Sequence, residues 1–411
     1  MSPTLLETIS YLGTKLCSFR DAHEAVGSLI HVPIGLKRVE RITERIGTER
    51  VAEREAGVAA WRCLPLTKRD QAPQGVKVPK VVAVLADGGR FQTRDKGRDA
   101  NSHWHEYKAG VVQILDSKEC AQDPCPEIPG IYLNRQRINK LAHEITQLAA
   151  TTGPSQGESA TNDPDPSVTD TALVPEAEVR SHGYEPPRIL DRDVAATVGD
   201  SRQFGQQLAA RAWELGLFAA PRKAWISDGQ NWLVSEWERH FKPFGFISIL
   251  DFIHVLSRVY AAATAGQPPT VGWQIYTRWI QWIWKGQVTL VIAELASRQT
   301  ALGTPQPEDG ETCPRRIVSA TLTYLQNQQG RMNYPEYRRL GLPITSAHME
   351  STVKQLNRRI KGSEKYWTRS GSEAVLQLAA DHISTSRPLD AFWANRPARQ
   401  TGCRSYSRTQ L

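Results

Sequence analysis

Apolar residues recur at helical spacing through residues 4–55. Phe19, Ala22, Ala25, Val26, Leu29 and Ile30 form one stripe, His31-Val32-Pro33 interrupts it, and Leu36, Val39, Ile42 and Ile46 form a second that runs up to Gly47. Lys37, Arg38, Arg41 and Arg45 sit away from that second stripe, so the pattern predicts a helix, a tight turn and a basic helix. An ordinary helical hairpin with a solvated basic face fits the same residues. The period then changes. Lys80–Asp87 is a compact β-type run ending in an acid and followed by Gly88-Gly89, and Phe91–Arg94 and Tyr107–Leu115 predict two more strands of a three-strand meander. A helix is expected from 193 to about Leu217, then a strand over Lys223–Asp228, a helix over Trp232–His240 and a strand over Phe246–Asp251. Strands alternating with helices imply an α/β fold with a partly parallel sheet.

Residues 256–340 read as helical and tryptophan-rich, with Trp273, Trp279, Trp282 and Trp284 in one segment. Such a cluster is more often helical core than a stacking platform for bases. In residues 341–367, Pro343 and the Thr345/Ser346 pair are helix-start signals, with the hydroxyls available to cap the first turn. Met349, Val353, Leu356 and Ile360 form the buried stripe, while Glu350, Lys354, Asn357, Arg358 and Lys361 share a neighbouring face. A solvated face of ion pairs accounts for this helix taken alone.

Composition adds a polyanion signature. The 411-residue chain carries 51 Lys+Arg against 43 Asp+Glu, a net +8, unevenly spread. Residues 331–369 hold nine Lys/Arg and three acids, whereas 151–187 hold seven acids and one Arg within a Pro-, Ser- and Thr-rich stretch that predicts a flexible acidic linker over 148–187. Of the six cysteines only Cys120 and Cys125 lie close together, which argues against a structural zinc site and for reduced thiols. No apolar run approaches a membrane span and no signal-peptide pattern opens the chain, so a cytoplasmic, nucleoid-associated protein with no membrane partner is expected.

Asp87, Asp228 and Asp251 each follow a β-rich run, and the C-terminal ends of strands in α/β sheets are where ligands gather. Carboxylates on adjacent strands, joined by a third from a helix, can hold two divalent cations about 4 Å apart. Oxygen-only ligands select Mg²⁺ or Mn²⁺. Singly, each aspartate reads better as an ordinary turn or cap residue after a strand. His103 and His105 have no third ligand close in sequence and read as a polar strand edge.

In combination, VLADGGRFQTR, WISDGQNW, ILDFIHVLSRVYAAA, the Trp-rich stretch and GLPITSAHMESTVKQLNRRIKGSEKYW occur in an order that resembles the bacterial insertion-sequence transposases of the Kra group, relatives of the Mutator-like DDE enzymes. The resemblance runs from the helix-turn-helix region to about Ser384. It implies a ribonuclease-H-like mixed sheet flanked by helices, interrupted by an all-helical insertion. The expected segments are a helix-turn-helix DNA-binding region over 1–60, core pieces over 75–147 and 188–255, the insertion over 256–340, the final catalytic helix within 341–385 and a basic tail over 386–411. The wide interval between Asp87 and Asp228 contains the acidic linker, and that between Asp228 and Glu350 leaves room for an insertion of roughly 85 residues.

The resemblance implies that Asp87, Asp228 and Glu350 are the catalytic, metal-binding acids. It matches Asp251 and His254 to an Asp-x-x-His signature. His254 is then expected to contact the scissile phosphate or orient a carboxylate; a core histidine bonded near Asp251 is the alternative. Lys354, Arg358, Arg359, Lys361 and Lys365 are expected on the DNA backbone, and Lys37, Arg38, Arg41 and Arg45 on terminal inverted repeats. The implied activity is metal-dependent DNA cleavage and strand transfer with two Mg²⁺ or Mn²⁺ ions, performed by a homo-oligomer that synapses two ends on target DNA. Many members of that group carry extra sequence ahead of the helix-turn-helix, so a truncated or degenerate copy that only binds DNA is the alternative. A stand-alone ribonuclease-H-like nuclease would leave the basic arm and the insertion without a role.

Overall fold

Val81–Thr93 forms the central strand, β1, and its residues 81–86 are all buried because both faces of the strand are covered. Val81, Ala83 and Leu85 enter one core, and Val82, Val84 and Ala86 enter the other. On one side β1 pairs antiparallel with β2 (Trp104–Asp116), which pairs antiparallel with β3 (Arg188–Thr197). On the other side β1 pairs parallel with β4 (Arg222–Ser227), and β4 with β5 (Ile247–Leu250). The two-residue β6 (Tyr366–Trp367) lies parallel to the end of β1. The order β3-β2-β1-β4-β5 makes an α/β protein with a mixed open sheet flanked by helices, compatible with a ribonuclease-H-like fold. This computed structural model describes residues 1–94, 103–152, 184–362 and 364–399.

The N-terminal helices are α1 (Pro3–Lys15), α2 (Phe19–Ile30) and α3 (Leu36–Cys63), and α4 (Arg135–Thr152) follows β2. Between the strands lie α5 (Ser201–Glu214), α6 (Asn231–His240) and α7 (Phe252–Thr264). Four further helices follow: α8 (Pro269–Trp284), α9 (Val288–Leu302), α10 (Pro314–Gln328) and α11 (Tyr334–Arg339). The chain then returns to the sheet through α12 (Ala347–Ile360) and α13 (Arg369–Ile383), and α14 (Pro388–Arg399) follows. One face of the sheet packs on α5, α6 and the second half of α3, through Phe204, Leu208, Leu233, Val58 and Trp61. The other face is continuous with α4, α7, α12, α13 and the α8–α11 segment, so the helical insertion shares its core with the sheet. Trp279 and Trp284 are buried there, in the core role expected of them. Among the described residues no helix is long and apolar enough to cross a membrane.

The structure departs from the sequence-based expectations at several elements. Lys80–Asp87 and Phe91–Arg94 are parts of one strand, with Asp87 in its middle. The glycines that suggested a break instead make room: a Cβ on Gly89 would lie 2.2 Å from the ring of its cross-strand neighbour Tyr107. The third antiparallel strand is β3, where a helix was expected to begin at 193. β3 carries the charged residues typical of a sheet edge, and that edge is covered by residues 384–386, with the Thr385 amide donating to the Arg192 carbonyl (2.8 Å). The helix proper begins at Ser201, with Asp200 and Gln203 closing a capping box.

Gly47 likewise does not end the second helix. α3 runs for 28 residues, and Gly47 lies inside it where α3 crosses α13 so closely that a Cβ would meet the Ala374 carbonyl oxygen at 2.3 Å. Helices α2 and α3 share a third small core with α1, Leu378 of α13, and Leu389 and Phe392 of α14. Residues 388–399 of the expected basic tail are this helix α14, and 400–411 lie outside the described residues. Of the expected linker, 148–152 end α4 and 153–183 lie outside the described residues.

Candidate active site

The two strand acids stand level because of the sheet's register. Val81 pairs with Arg222, and six residues further along each parallel strand come Asp87 and Asp228. Adjacent strands lie about 4.8 Å apart, so matched positions place their side chains side by side. Asp87 Oδ1 accepts from the Gly88 amide at 2.7 Å. Asp228 sits just past β4, its carboxylate accepting from the amide (3.0 Å) and side chain (2.8 Å) of Gln230. The turn it opens is held from behind by α10: the Tyr324 hydroxyl donates to the Asp228 carbonyl (2.9 Å) and Gln328 Nε2 to the Gly229 carbonyl (3.2 Å). Glu350 comes from the first turn of α12, which packs on β1 through Met349, Val353, Leu356 and Ile360. All three acids line one cavity of about 570 Å³, together with His254 and Lys361.

Burial and mutual repulsion make Asp87 and Glu350 hard to ionise. Burial, then the charge of Asp228, lifts the Asp87 carboxyl well above the usual carboxylate range. Burial, with Asp251 and Asp87 adding to it, pushes Glu350 up to about 7 against the opposing pull of His254. Glu350 is 5% exposed, and its Oε1 is buried with no hydrogen-bond partner. A buried oxygen without a donor, beside two further carboxylates and with no thiolate, fits a hard divalent cation such as Mg²⁺ or Mn²⁺.

Asp251 plays a different part. It is fully buried, and its Oδ1 accepts from the amides of Ile253 (3.3 Å) and Ser346 (2.9 Å). Oδ2 accepts from the Ser346 hydroxyl (2.8 Å) and meets His254 Nδ1 at 2.5 Å. One carboxylate thus caps α7 and anchors the start of α12. Ser346 does not cap α12, as its position suggested, because its hydroxyl is turned to Asp251. Burial opposes the charge on both partners. On His254 it is outweighed by the hydrogen bond and charge of Asp251, then by Asp228 and Glu350, and the imidazole is raised to about 10. On Asp251 it is outweighed chiefly by the bond to His254, which keeps the carboxyl below its ordinary range.

Asp251, His254 and Glu350 bring ligand atoms within 4.8 Å of one another and could hold a metal ion. In that group the Asp251 oxygens already accept from Ile253, Ser346 and His254. Between the ordinary carboxylate pKa and about pH 7 the folded protein binds more protons at Asp87 and Glu350 than the unfolded chain does, so their contribution to stability falls as pH rises. A bound cation replaces those protons. Mg²⁺ or Mn²⁺ should therefore raise the Tm more at pH 8 than at pH 6, and equal shifts in differential scanning fluorimetry at both would argue against carboxylate ligation.

The expected DNA contacts divide. Lys37, Arg38, Arg41 and Arg45 are exposed on the first turns of α3, with Lys37 paired to Glu40 (2.7 Å) and Arg45 near Glu49 (4.0 Å). Such surface pairs are worth ~1 kcal/mol or less and yield readily to phosphate. Lys354 lies near enough to Glu350 to pull its carboxyl down, Arg358 is exposed, and Lys365 Nζ donates to the Arg358 carbonyl (3.0 Å).

Arg359 departs from the expectation: it is 4% exposed, lies over Phe19 (4.3 Å) and Trp367 (5.0 Å), and donates to the Gly13 carbonyl at 2.9 Å. Helical geometry turns it onto the buried side beside Ile360, and burial lowers its pKa to about 10. It joins α12 to the N-terminal helices and leaves no donor face for the DNA backbone. Arg359→Ala should lower stability by roughly 2 kcal/mol, the scale of a desolvated cation–π contact, and leave the salt dependence of DNA binding unchanged. Arg358→Ala should do the reverse, reducing the salt slope by about one. Thermal melts and binding isotherms at several salt concentrations separate the two.

Sequence reading did not single out Tyr324, Gln328 or Arg258. They lie in helices whose pattern speaks only of packing, and nothing near them in sequence points to the acids. His103 Nδ1 lies 2.9 Å from the Thr93 carbonyl, and the strand it precedes, β2, runs between β1 and β3. No family model matches this chain, and no curated protein matches it.

Proposed function

We propose that the chain is a DDE-type transposase that cuts DNA at the ends of an insertion sequence and joins them to a target. The observation that carries the reading is the convergence of Asp87, Asp228 and Glu350, from three separate elements, on one cavity, with a buried Glu350 oxygen lacking any donor. The sheet order supports a ribonuclease-H-like core, and the α8–α11 segment falls between the second and third acids, as the motif order leads one to expect.

Asp87, Asp228 and Glu350 would hold two Mg²⁺ or Mn²⁺ ions, which when bound neutralise the charge that builds on the attacking and leaving oxygens. In the first step water attacks the scissile phosphorus and the 3′-oxygen leaves; in the second that 3′-hydroxyl attacks a target phosphodiester and displaces its 3′-oxygen. His254, anchored through Nδ1 and carrying a proton, keeps Nε2–H for a phosphate oxygen at the cavity. Tyr324 and Gln328 fix the turn that aims Asp228. The exposed cations of α3 and α12 suit the phosphate backbone, and two ends require at least two copies of the chain on DNA.

Purified protein should nick and join a duplex carrying the inverted repeats that flank its gene, with Mg²⁺ or Mn²⁺ and not with chelator. End binding without nicking under every divalent ion tried would favour a DNA-binding remnant instead.

A further inference from the structure

The wall of the cavity that faces the acids is built by α7 and α10, and it carries a cation that the reaction as drawn does not use. Arg258 lies one turn beyond His254 on the same face of α7, and both line the cavity. Its guanidinium sits 4.4 Å from the ring centre of Tyr324. The same tyrosine donates its hydroxyl to the Asp228 carbonyl, so a single side chain fixes the second acid and forms the platform under the arginine.

Arg258 is exposed, and among the described residues no carboxylate pairs with it, although four line the same cavity. Arg316, also at the cavity, has one donor committed to the Asp309 carbonyl (2.8 Å). A guanidinium stacked on an aromatic ring has lost little more freedom when it binds. Its planar fork matches two oxygens of a phosphodiester, as an ammonium point charge does not.

We propose that Arg258, seated on Tyr324, is a substrate-binding residue that grips a phosphodiester of the DNA strand next to the one held at the acids. The inference rests on the transposase reading of the cavity and adds a role for the helical insertion: α10 supplies the platform that aims the arginine.

The test uses the full chain in Ca²⁺ and a fluorescein-labelled oligothymidylate, followed by anisotropy over a series of salt concentrations. Arg258→Ala should weaken binding about tenfold and flatten the log–log salt slope by about 0.7, the loss of one phosphate contact on a single strand. Arg258→Lys should keep the slope and lose part of the affinity. A purely structural role for Arg258 would move the Tm and leave the slope alone. Arg258→Gln provides a second variant if the alanine protein folds poorly.

Unchanged affinity and slope in Arg258→Ala and Arg258→Gln would overturn the inference, as would a parent protein that does not bind the oligonucleotide. A separate Mn²⁺ cleavage assay on end-bearing DNA tests the underlying reading. Failure there with the Arg258 effect intact removes the transposase and keeps the phosphodiester contact, whereas cleavage with an indifferent Arg258 does the opposite.

Discussion

Asp87→Asn, Asp228→Asn and Glu350→Gln are each expected to reduce metal-dependent DNA cleavage and joining by roughly a thousandfold or more, the scale on which one electrostatic stabiliser of a transition state is lost. Binding to end-bearing DNA should survive, because the exposed cations lie elsewhere. The same substitutions carry a signature that an ordinary structural acid would not. Glu350 is displaced from the ordinary 4.5 to about 7, so ionising it in the folded, metal-free protein costs up to roughly 3 kcal/mol. A neutral amide removes that cost. At pH 8 without divalent ions, Glu350→Gln and Asp87→Asn should melt at or above the parent temperature, and the Tm rise on adding Mn²⁺ should disappear. Activity equal to the parent in any one of the three would end the assignment, whatever the melting curves showed.

Asp251→Ala should have the largest effect on stability, about 3–5 kcal/mol, because it leaves a partly buried imidazolium and the Ser346 amide and hydroxyl without their shared acceptor. Asp251→Asn is the finer probe, since its amide nitrogen must face either Ser346 or His254 and cannot accept from both sides. The sign of the pH effect follows from His254. Its folded pKa of about 10 lies above the ordinary 6.5, so its stabilisation is fully present below pH 6.5 and is lost as pH rises through 10. The parent should lose stability over that window, and Asp251→Asn should show a flatter profile. An imidazole that NMR finds titrating near 6.5 in the parent would contradict this account of the pair.

Local signals made much of this arrangement legible. β4, β5 and α12 announced themselves by short β-branched or helical stripes, and each acid lay beside its element in the chain. The buried stripe Met349, Val353, Leu356 and Ile360 is the one observed. What stayed hidden depends on contacts between distant residues. Gly88-Gly89 and Gly47 read as breaks, since a sequence cannot show that Tyr107 and α13 occupy the space their missing side chains leave. β3 carries charges suited to an edge that residues 384–386 cover from almost two hundred positions away. Arg359 was counted with its neighbours as a surface cation because Phe19 and Trp367, which enclose it, lie on either side of it at great and small separations. Tyr324 reaches Asp228 only once the insertion folds back.

The third small core has a mechanical consequence. Because α2 and α3 are packed against α13 and α14, and Arg359 ties α1 and α2 to the helix bearing Glu350, the exposed basic residues of α3 and the acids are joined through continuous packing. If α3 reads a transposon end, the protein works as a caliper: the number of base pairs between the recognised sequence and the cut is set by the folded dimensions of the chain, not by the reach of a tether.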